Sequence, residues 1–128
     1  LGNLNAKRDW GHARDYVEAM WKILQQKKPD DFVISSGATY TVKSFVNMAA
    51  KEFGYNLIWS GKGLNEKAHD KKTNKLIVKI EKKYFRPTEV NYLIGDSRKA
   101  KKQLNWSPKT DLKNLIKIMC EYELSNYQ

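Results

Sequence analysis

The apolar and polar positions of this chain divide it into short segments of helical and extended character. Apolar side chains recur every three or four residues in three segments, which is the spacing of amphipathic helices. The predicted helices span about 13–26, 41–53 and 111–124, with a shorter one over 96–104. Short apolar or alternating runs predict an extended start over 1–10 and strands at 32–35, 55–59 and 76–80. The pattern therefore predicts a mixed α/β fold with short strands and about four helices.

Capping residues and glycines mark the expected ends of these elements. Asp15 lies near the start of the first helix as a plausible cap, and Thr41 stands where the second helix needs its N-cap. Gly54 closes that second helix. Residues 64–74 are polar and without periodicity, so we expect an exposed loop there. No internal repeat or long linker divides the chain, which predicts one domain over residues 1–128.

The net positive charge of the chain indicates which kinds of binding partner to expect. The formal net charge is +10 in 128 residues, of which 41% are hydrophobic, so a folded domain with anionic partners is expected. The basic positions between 62 and 83 are interrupted by Glu66, Asp70 and Glu81, which favours a solvated surface over a nucleic-acid interface. No apolar run approaches the ~20 residues that cross a bilayer. We therefore expect neither a nucleic-acid nor a membrane partner.

Histidine and cysteine positions give little support to metal or thiol chemistry. His12 and His69 are far apart in sequence, and Cys120 has no second cysteine at ligand spacing, so no metal site is expected. His12 is interpreted as a polar contact at the start of the first helix, and Cys120 as filler on an apolar helix face. A lone cysteine fits a reducing compartment such as the cytoplasm.

Two features can bind an anion. The start of the second helix is expected to leave free backbone N–H groups near Lys43, and helix starts attract anions. An ordinary capped helix with an exposed lysine is the alternative. The second feature is Arg86, which Pro87 biases towards an extended conformation, with Glu89 three residues later. A held guanidinium can grip a phosphate in bidentate fashion, whereas a plain surface ion pair is the alternative.

Four blocks of sequence resemble the GDP-mannose 4,6-dehydratase family of extended short-chain dehydrogenases. The first is LGNLNAKRDWGHARDYVEAMW at 1–21, and the second is YFRPTEV at 84–90. The others are Gly95-Asp96 and the run from Lys99 to Pro108 with Leu104, Trp106 and Pro108 in register. Their order and separation match the family, and the resemblance covers essentially the whole chain.

The resemblance implies an enzyme that converts GDP-mannose to GDP-4-keto-6-deoxymannose with tightly held NADP. It places this chain in the C-terminal substrate-binding part, without the N-terminal NADP-binding Rossmann domain. No catalytic and no cofactor-binding residue is then expected in the chain, since every tyrosine lacks a lysine four positions later. The expected partners are GDP-mannose or GDP, the rest of the same enzyme, and a further copy in a homo-oligomer. The chain alone is expected to be inactive.

The resemblance also implies roles for particular residues. Arg86 would grip the GDP diphosphate, and Glu89 would bind the ribose or another polar edge. Lys43 stands where the family has arginine, so a looser phosphate contact is expected. The remaining expected substrate-side residues are Gly2, Asn3, Leu4 and Arg8. Arg8 and its neighbour Asp9 either serve the pocket or brace the fold.

Two other functions remain open at this point. A related dehydratase or epimerase for another nucleotide sugar shares the Arg-Asp-Trp element at 8–10 and the later Arg-Pro at 86–87. A stand-alone basic nucleic-acid-binding module is the more distant alternative. Salt-sensitive oligonucleotide binding that is indifferent to Arg86 would indicate the latter.

Overall fold

The computed structural model describes residues 1–86 and 88–126, which contain four α-helices and five short strands. The helices are α1 (Ala13–Leu24), α2 (Val42–Glu52), α3 (Arg98–Leu104) and α4 (Leu112–Asn126). The strands are β1 (Lys7–Arg8), β2 (Tyr40–Thr41), β3 (Leu57–Ser60), β4 (Lys67–Asp70) and β5 (Leu76–Lys79). The predicted mixed α/β fold with four helices is confirmed. No helix in the described ranges is both long enough and apolar enough to cross a membrane.

Strands β1 and β2 form a small antiparallel sheet near the start of the chain, with Lys7 opposite Thr41. A later segment adds to its free edge, where Tyr92 lies parallel to Lys7. The Lys7 N–H donates to the Asn91 carbonyl at 2.8 Å, and the Leu93 N–H donates to the Lys7 carbonyl at 3.1 Å. These bonds fix the segment around residue 90 beside β1.

Strands β3, β4 and β5 form an antiparallel sheet with β4 in the centre. Ser60 lies opposite Lys67, which in turn lies opposite Lys79, and Trp59 lies opposite Ala68. Side chains alternate between the two faces of a strand, so Trp59 and the buried Ala68 share the inner face. The Trp59 indole N–H donates to the Asn47 amide oxygen of α2 at 2.8 Å, which ties this sheet to that helix.

The core consists of two clusters, each built around a pair of helices. The first lies between α1 and α3, and its buried members are Ala19, Ala100, Leu104 and Trp106. The second lies between α2 and α4, and its buried members are Leu112, Leu115, Ile116 and Cys120. The burial of Cys120 on this face confirms its predicted role as apolar filler. Trp106 is 1% exposed, and its indole N–H donates to the Asp15 carbonyl at 2.9 Å.

The cap of α1 differs from the prediction. His12 is the N-cap, and its Nδ1 accepts from the Arg14 N–H at 3.0 Å, which confirms the expected polar contact. Asp15 is instead buried, and its Oδ2 accepts from the N–H groups of Lys109 and Thr110 at 3.1 and 3.0 Å. The assignment of Asp15 as the cap was therefore wrong, because its carboxylate holds a turn that lies far away in sequence.

The ends of α2 agree with the prediction. Thr41 is the N-cap, and its Oγ1 accepts from the Ser44 N–H at 3.0 Å. Gly54 follows the helix with a φ of +78°, a left-handed conformation that glycine adopts without strain. Both ends of this helix were thus correctly read from the sequence.

The strand predicted at 32–35 is absent from the sheets of the described residues. Its apolar residues Phe32 and Ile34 pack against the first core cluster instead. The following N–H groups of Ser36 and Gly37 each donate to the Asp9 carboxylate at 2.9 Å. An apolar run becomes a strand only where a partner backbone is available, and this one packs through its side chains.

The exposed loop predicted at 64–74 is also wrong, since it contains β4, the central strand of its sheet. Ala68 and Asp70 are buried, while Lys67 is exposed, so the period-two pattern of a strand is present. It was hidden because Ala68 is its only apolar member. Backbone pairing on both sides stabilises a strand that its own side chains do not predict.

Candidate functional site

A groove of about 400 Å³ lies between the first residues of the chain and the segment 83–89. The residues that line it are Gly2, Asn3, Ala6, Arg8, Val42, Lys83, Tyr84, Arg86 and Glu89. Five of the seven predicted substrate-side residues therefore meet here, although the chain separates the two walls by some eighty positions. Tertiary structure brings together what the sequence had placed in two distant blocks.

Backbone and amide contacts hold the two walls in place. The Glu81 N–H donates to the Leu1 carbonyl at 2.8 Å, just before the short 3-10 helix Lys82–Tyr84. The Asn3 side-chain amide donates to the Asn91 amide oxygen at 3.3 Å. The opposite wall is thus attached to the first residues at both of its ends.

Gly2 sets how closely the walls approach. A Cβ atom at this position would lie 2.2 Å from the Tyr84 carbonyl oxygen, far inside van der Waals contact. A side chain at Gly2 would push the segment that carries Arg86 away from the first wall. Glycine is therefore required here by the close approach of two backbones.

Arg8 lines the groove and contacts Glu89, the carboxylate of the opposite wall. Its guanidinium donates to the Lys7 and Val90 carbonyls at 2.8 and 2.6 Å and forms an ion pair with Glu89. The two paired side chains are only 23% and 21% exposed. Arg8 thus lines the groove and braces the position of Glu89, while its contact with the substrate stays a prediction. Asp9 braces the neighbouring loop at Ser36 and Gly37.

The charge of the groove suits an anion. Three cationic side chains, Arg8, Lys83 and Arg86, line it with a single carboxylate, Glu89. Arg86 is exposed, and Glu89 is partly buried. Pro87, which was expected to stiffen this segment, lies outside the described residues. An excess of positive charge beside one held carboxylate can bind a phosphate group and a hydroxyl donor side by side.

Lys43 and Leu4 lie outside the groove lining. Lys43 Nζ forms an ion pair with Glu66 Oε1 at 2.6 Å and lies 4.5 Å from the centre of the Trp59 ring. Leu4 is 2% exposed, and its carbonyl accepts from the Lys43 N–H at 2.9 Å. A phosphate contact by Lys43 stays a prediction, and it requires release from Glu66.

The expectation of free N–H groups at the start of α2 is wrong. The N–H groups of Val42 and Lys43 donate to the Ala6 and Leu4 carbonyls, and that of Ser44 donates to its cap. The first residues of the chain thus occupy the donors that an anion would need.

Sequence reasoning missed three residues that matter here. Lys83 and Tyr84 line the groove; Tyr84 opens the block at 84–90 that carried the resemblance, and Lys83 directly precedes it. Their position next to Arg86 was a usable signal. Glu66 gave no such signal, because its contact with Lys43 depends on the unpredicted strand β4.

Comparisons with known protein sequences show which proteins this chain is similar to. The family model described as GDP-mannose 4,6 dehydratase matches residues 1–119. The GDP-mannose 4,6 dehydratase of Dictyostelium discoideum is 55% identical over 119 residues, covering 93% of this chain and 33% of that protein. The human GDP-mannose 4,6 dehydratase is 50% identical over 119 residues, covering 93% of this chain and 32% of that protein. The chain thus spans about a third of the length of these relatives.

Solved structures share the fold. A UDP-glucose 4-epimerase from Thermotoga maritima, solved with UDP-glucose, has a TM-score of 0.73 at 23% identity, covering 100% of this chain and 35% of the other. A dTDP-glucose 4,6-dehydratase from Bacillus anthracis, in complex with NAD, has a TM-score of 0.65 at 18% identity, covering 98% and 33%. At these identities the likeness concerns the fold alone. Because the family model matches all but the last nine of the 128 residues, the chain belongs to the GDP-mannose 4,6 dehydratase family.

Proposed function

We propose that this chain is the substrate-binding part of a GDP-mannose 4,6-dehydratase, a lyase that converts GDP-mannose to GDP-4-keto-6-deoxymannose. The observation that carries the proposal is the groove, in which Arg8, Arg86 and Glu89 meet beside Gly2 and Asn3. These residues come from the two blocks that resemble the family most closely. Family membership supplies the reaction, and the groove supplies a place for the nucleotide.

Each groove residue has a defined role in this proposal. Arg86 is exposed and free to turn towards the diphosphate, with Lys83 adding charge beside it. Glu89 accepts a hydrogen bond from a hydroxyl or amino group of the nucleotide, while Arg8 holds the Glu89 carboxylate through its ion pair. Gly2 keeps the two walls at the separation that these contacts need.

The cofactor and the catalytic groups are assigned to another part of the enzyme. NADP supplies the hydride acceptor and donor of the reaction in this family. The glycines of the described residues do not form a Gly-x-Gly-x-x-Gly turn between a strand and a helix, which is the usual cradle for a dinucleotide. We therefore place the NADP site and the catalytic residues outside this chain, in a Rossmann domain. The lone cysteine fits a reducing compartment, and we place the enzyme in the cytoplasm.

The rest of the same enzyme is the proposed partner of α1. This helix exposes Val17, Met20 and Trp21 at 61% each and Leu24 at 80%. An exposed apolar stripe of this size marks an interaction surface. In isolation we expect the chain to self-associate through it. Size-exclusion chromatography should show a concentration-dependent larger species that Trp21→Gln diminishes, and a strict monomer at high concentration would contradict the assignment.

Calorimetric titration tests the groove directly. We expect GDP and GDP-mannose to bind more tightly than UDP, dTDP or a duplex oligonucleotide, and Arg86→Ala to weaken GDP binding about tenfold or more, since a charge-assisted contact contributes about 1.5–3 kcal/mol. Arg98→Ala is the matched control, because Arg98 is exposed but does not line the groove.

Three outcomes would contradict the proposal. Equal loss of GDP binding in Arg86→Ala and Arg98→Ala would indicate attraction by net charge alone. A preference for UDP or dTDP would indicate an enzyme acting on another nucleotide sugar. Turnover of GDP-mannose by this chain alone would show that its catalytic residues lie within it.

A further inference from the structure

The structure changes the charge distribution that the sequence suggested for residues 62–83. Eight lysines occur there against three acidic residues, which interrupt the basic run in sequence. Two of these acids turn away from the surface. Glu66 is paired with Lys43, and its side chain is 11% exposed. Asp70 is 4% exposed, and it accepts from the N–H groups of Asn56 and Thr73 and from the Thr73 hydroxyl.

The lysines, in contrast, point outwards. Their acidic neighbour on the surface is Glu81, whose Oε2 lies 3.4 Å from Lys79 Nζ. The side chains of Lys79 and Glu81 are 65% and 42% exposed. An ion pair with that exposure contributes little. Four more exposed lysines lie at the ends of the strands, namely Lys62, Lys71, Lys72 and Lys75. The surface is therefore more strongly basic than its sequence indicates.

The register of the sheet concentrates this charge on one face, which we call the outer sheet face. Side chains that lie directly opposite each other in an antiparallel sheet share a face. A register shift between Ala68 and His69 places Leu76 opposite His69, so the outer sheet face consists of Ile58, Ser60, Lys67, His69, Leu76 and Lys79. Lys67 lies directly opposite Lys79, a like-charge pair that opposes folding. Two lysines held side by side create a positive potential that an anionic partner would relieve.

The composition of the outer sheet face selects among anionic partners. None of its six residues is Arg, Phe, Tyr or Trp, the side chains that grip phosphates in bidentate fashion or stack on bases. Ile58 and Leu76 are instead 52% and 47% exposed beside the lysines. Apolar side chains set among lysines match an anionic lipid surface, where the charge meets headgroups and the apolar groups reach the acyl boundary.

We propose that the outer sheet face of β3, β4 and β5 docks on membranes that carry anionic phospholipids. The contact is peripheral and reversible, and it is separate from the nucleotide groove. It departs from the sequence-based expectation of no membrane partner, which rested on the lack of an apolar run long enough to span a bilayer and did not address peripheral binding.

Cosedimentation with phospholipid vesicles tests this proposal. We expect the chain to bind phosphatidylcholine vesicles that contain phosphatidylserine, and not vesicles of phosphatidylcholine alone, with an affinity that falls as salt is added. Each lysine near such a surface contributes about fivefold, so Lys67→Gln with Lys79→Gln should lower partitioning roughly 25-fold. The matched control is Lys101→Gln with Lys102→Gln on α3, which removes the same net charge from exposed positions elsewhere. The control pair should change partitioning less than twofold.

A second pair of substitutions separates lipid from other anions. Ile58→Thr with Leu76→Thr keeps the charge and the strand propensity, and it should lower partitioning while leaving the salt dependence unchanged. Circular dichroism confirms that each variant is folded. The assignment would be overturned if the two lysine pairs lowered vesicle partitioning equally, or if the threonine pair had no effect on it. Tighter binding to a duplex RNA or an acidic peptide than to the vesicles would also overturn it.

Discussion

The ion pair between Arg8 and Glu89 couples the groove to the stability of the fold. It joins β1 to the segment beyond Arg86, and both side chains are nearly four-fifths buried. Hydrogen bonds to charged groups contribute about 1.5–3 kcal/mol when buried and less than 1 kcal/mol at an open surface. With about a fifth of each side chain exposed, we expect a coupling free energy of about 1–2 kcal/mol between the two residues.

A double-mutant cycle measures this coupling. Arg8→Met keeps the length of the side chain, and Glu89→Gln keeps its shape, so each removes mainly the charge. Free energies of unfolding are obtained from urea denaturation of the four proteins, followed by tryptophan fluorescence. The matched control is the pair of Arg98 and Asp96, whose side chains are 90% and 57% exposed, and its coupling should be clearly smaller than that of Arg8 and Glu89 because solvent screens it. Coupling below about 0.3 kcal/mol for Arg8 and Glu89 would refute the claim that Arg8 holds this carboxylate.

Three further predictions follow from single side chains. Asp15→Ala should lower the free energy of unfolding by about 2–3 kcal/mol, because two backbone N–H groups lose their acceptor. Asp15→Asn should largely retain the stability, since an amide oxygen can accept both hydrogen bonds. Urea titrations that find the two variants equally stable would contradict this. Hydrogen bonds from the Arg98 side chain and backbone lower the pKa of Asp96 to about 2. Any stabilisation from this contact is therefore present above pH 4 and is lost as pH falls towards 2. A carboxyl carbon NMR titration should show that the Asp96 pKa rises towards 3.8 in Arg98→Ala, and an unchanged pKa would refute the assigned cause. Burial, with a smaller effect of the Glu52 charge, raises the pKa of the Cys120 thiol, so a thiol reagent should react slowly in the folded chain and rapidly in urea, and equal rates would contradict its burial.

The helices show what local sequence can predict. The starts of α1 and α2 were placed correctly, because apolar spacing and a cap such as Thr41 act within a few residues. The buried face of α4, with Leu112, Leu115 and Cys120, also followed from its spacing. These features depend on contacts between neighbours in the chain, and each is available before the chain folds.

The short strands show where local sequence fails. Residues 32–35 had the apolar pattern of a strand but no partner in the described structure, whereas β4 had a partner on each side and almost no apolar pattern. Hydrogen bonding between strands depends on a backbone that is distant in sequence. For the same reason the sequence wrongly predicts Asp15 as a helix cap, although its carboxylate accepts from the N–H groups of residues 109 and 110.

Residue types and their spacing were enough to indicate the family, to predict the helices and to single out the two blocks that contain Arg8, Arg86 and Glu89. The fold was needed to show that Glu89 pairs with Arg8, that Lys43 is held by Glu66, and that the groove forms between the two blocks. The physical reason is that residue type and spacing specify which groups are present and which neighbours they cap. The distance between two charges that lie eighty residues apart is set by how the whole chain packs. Packing also decides whether a carboxylate faces solvent or the interior.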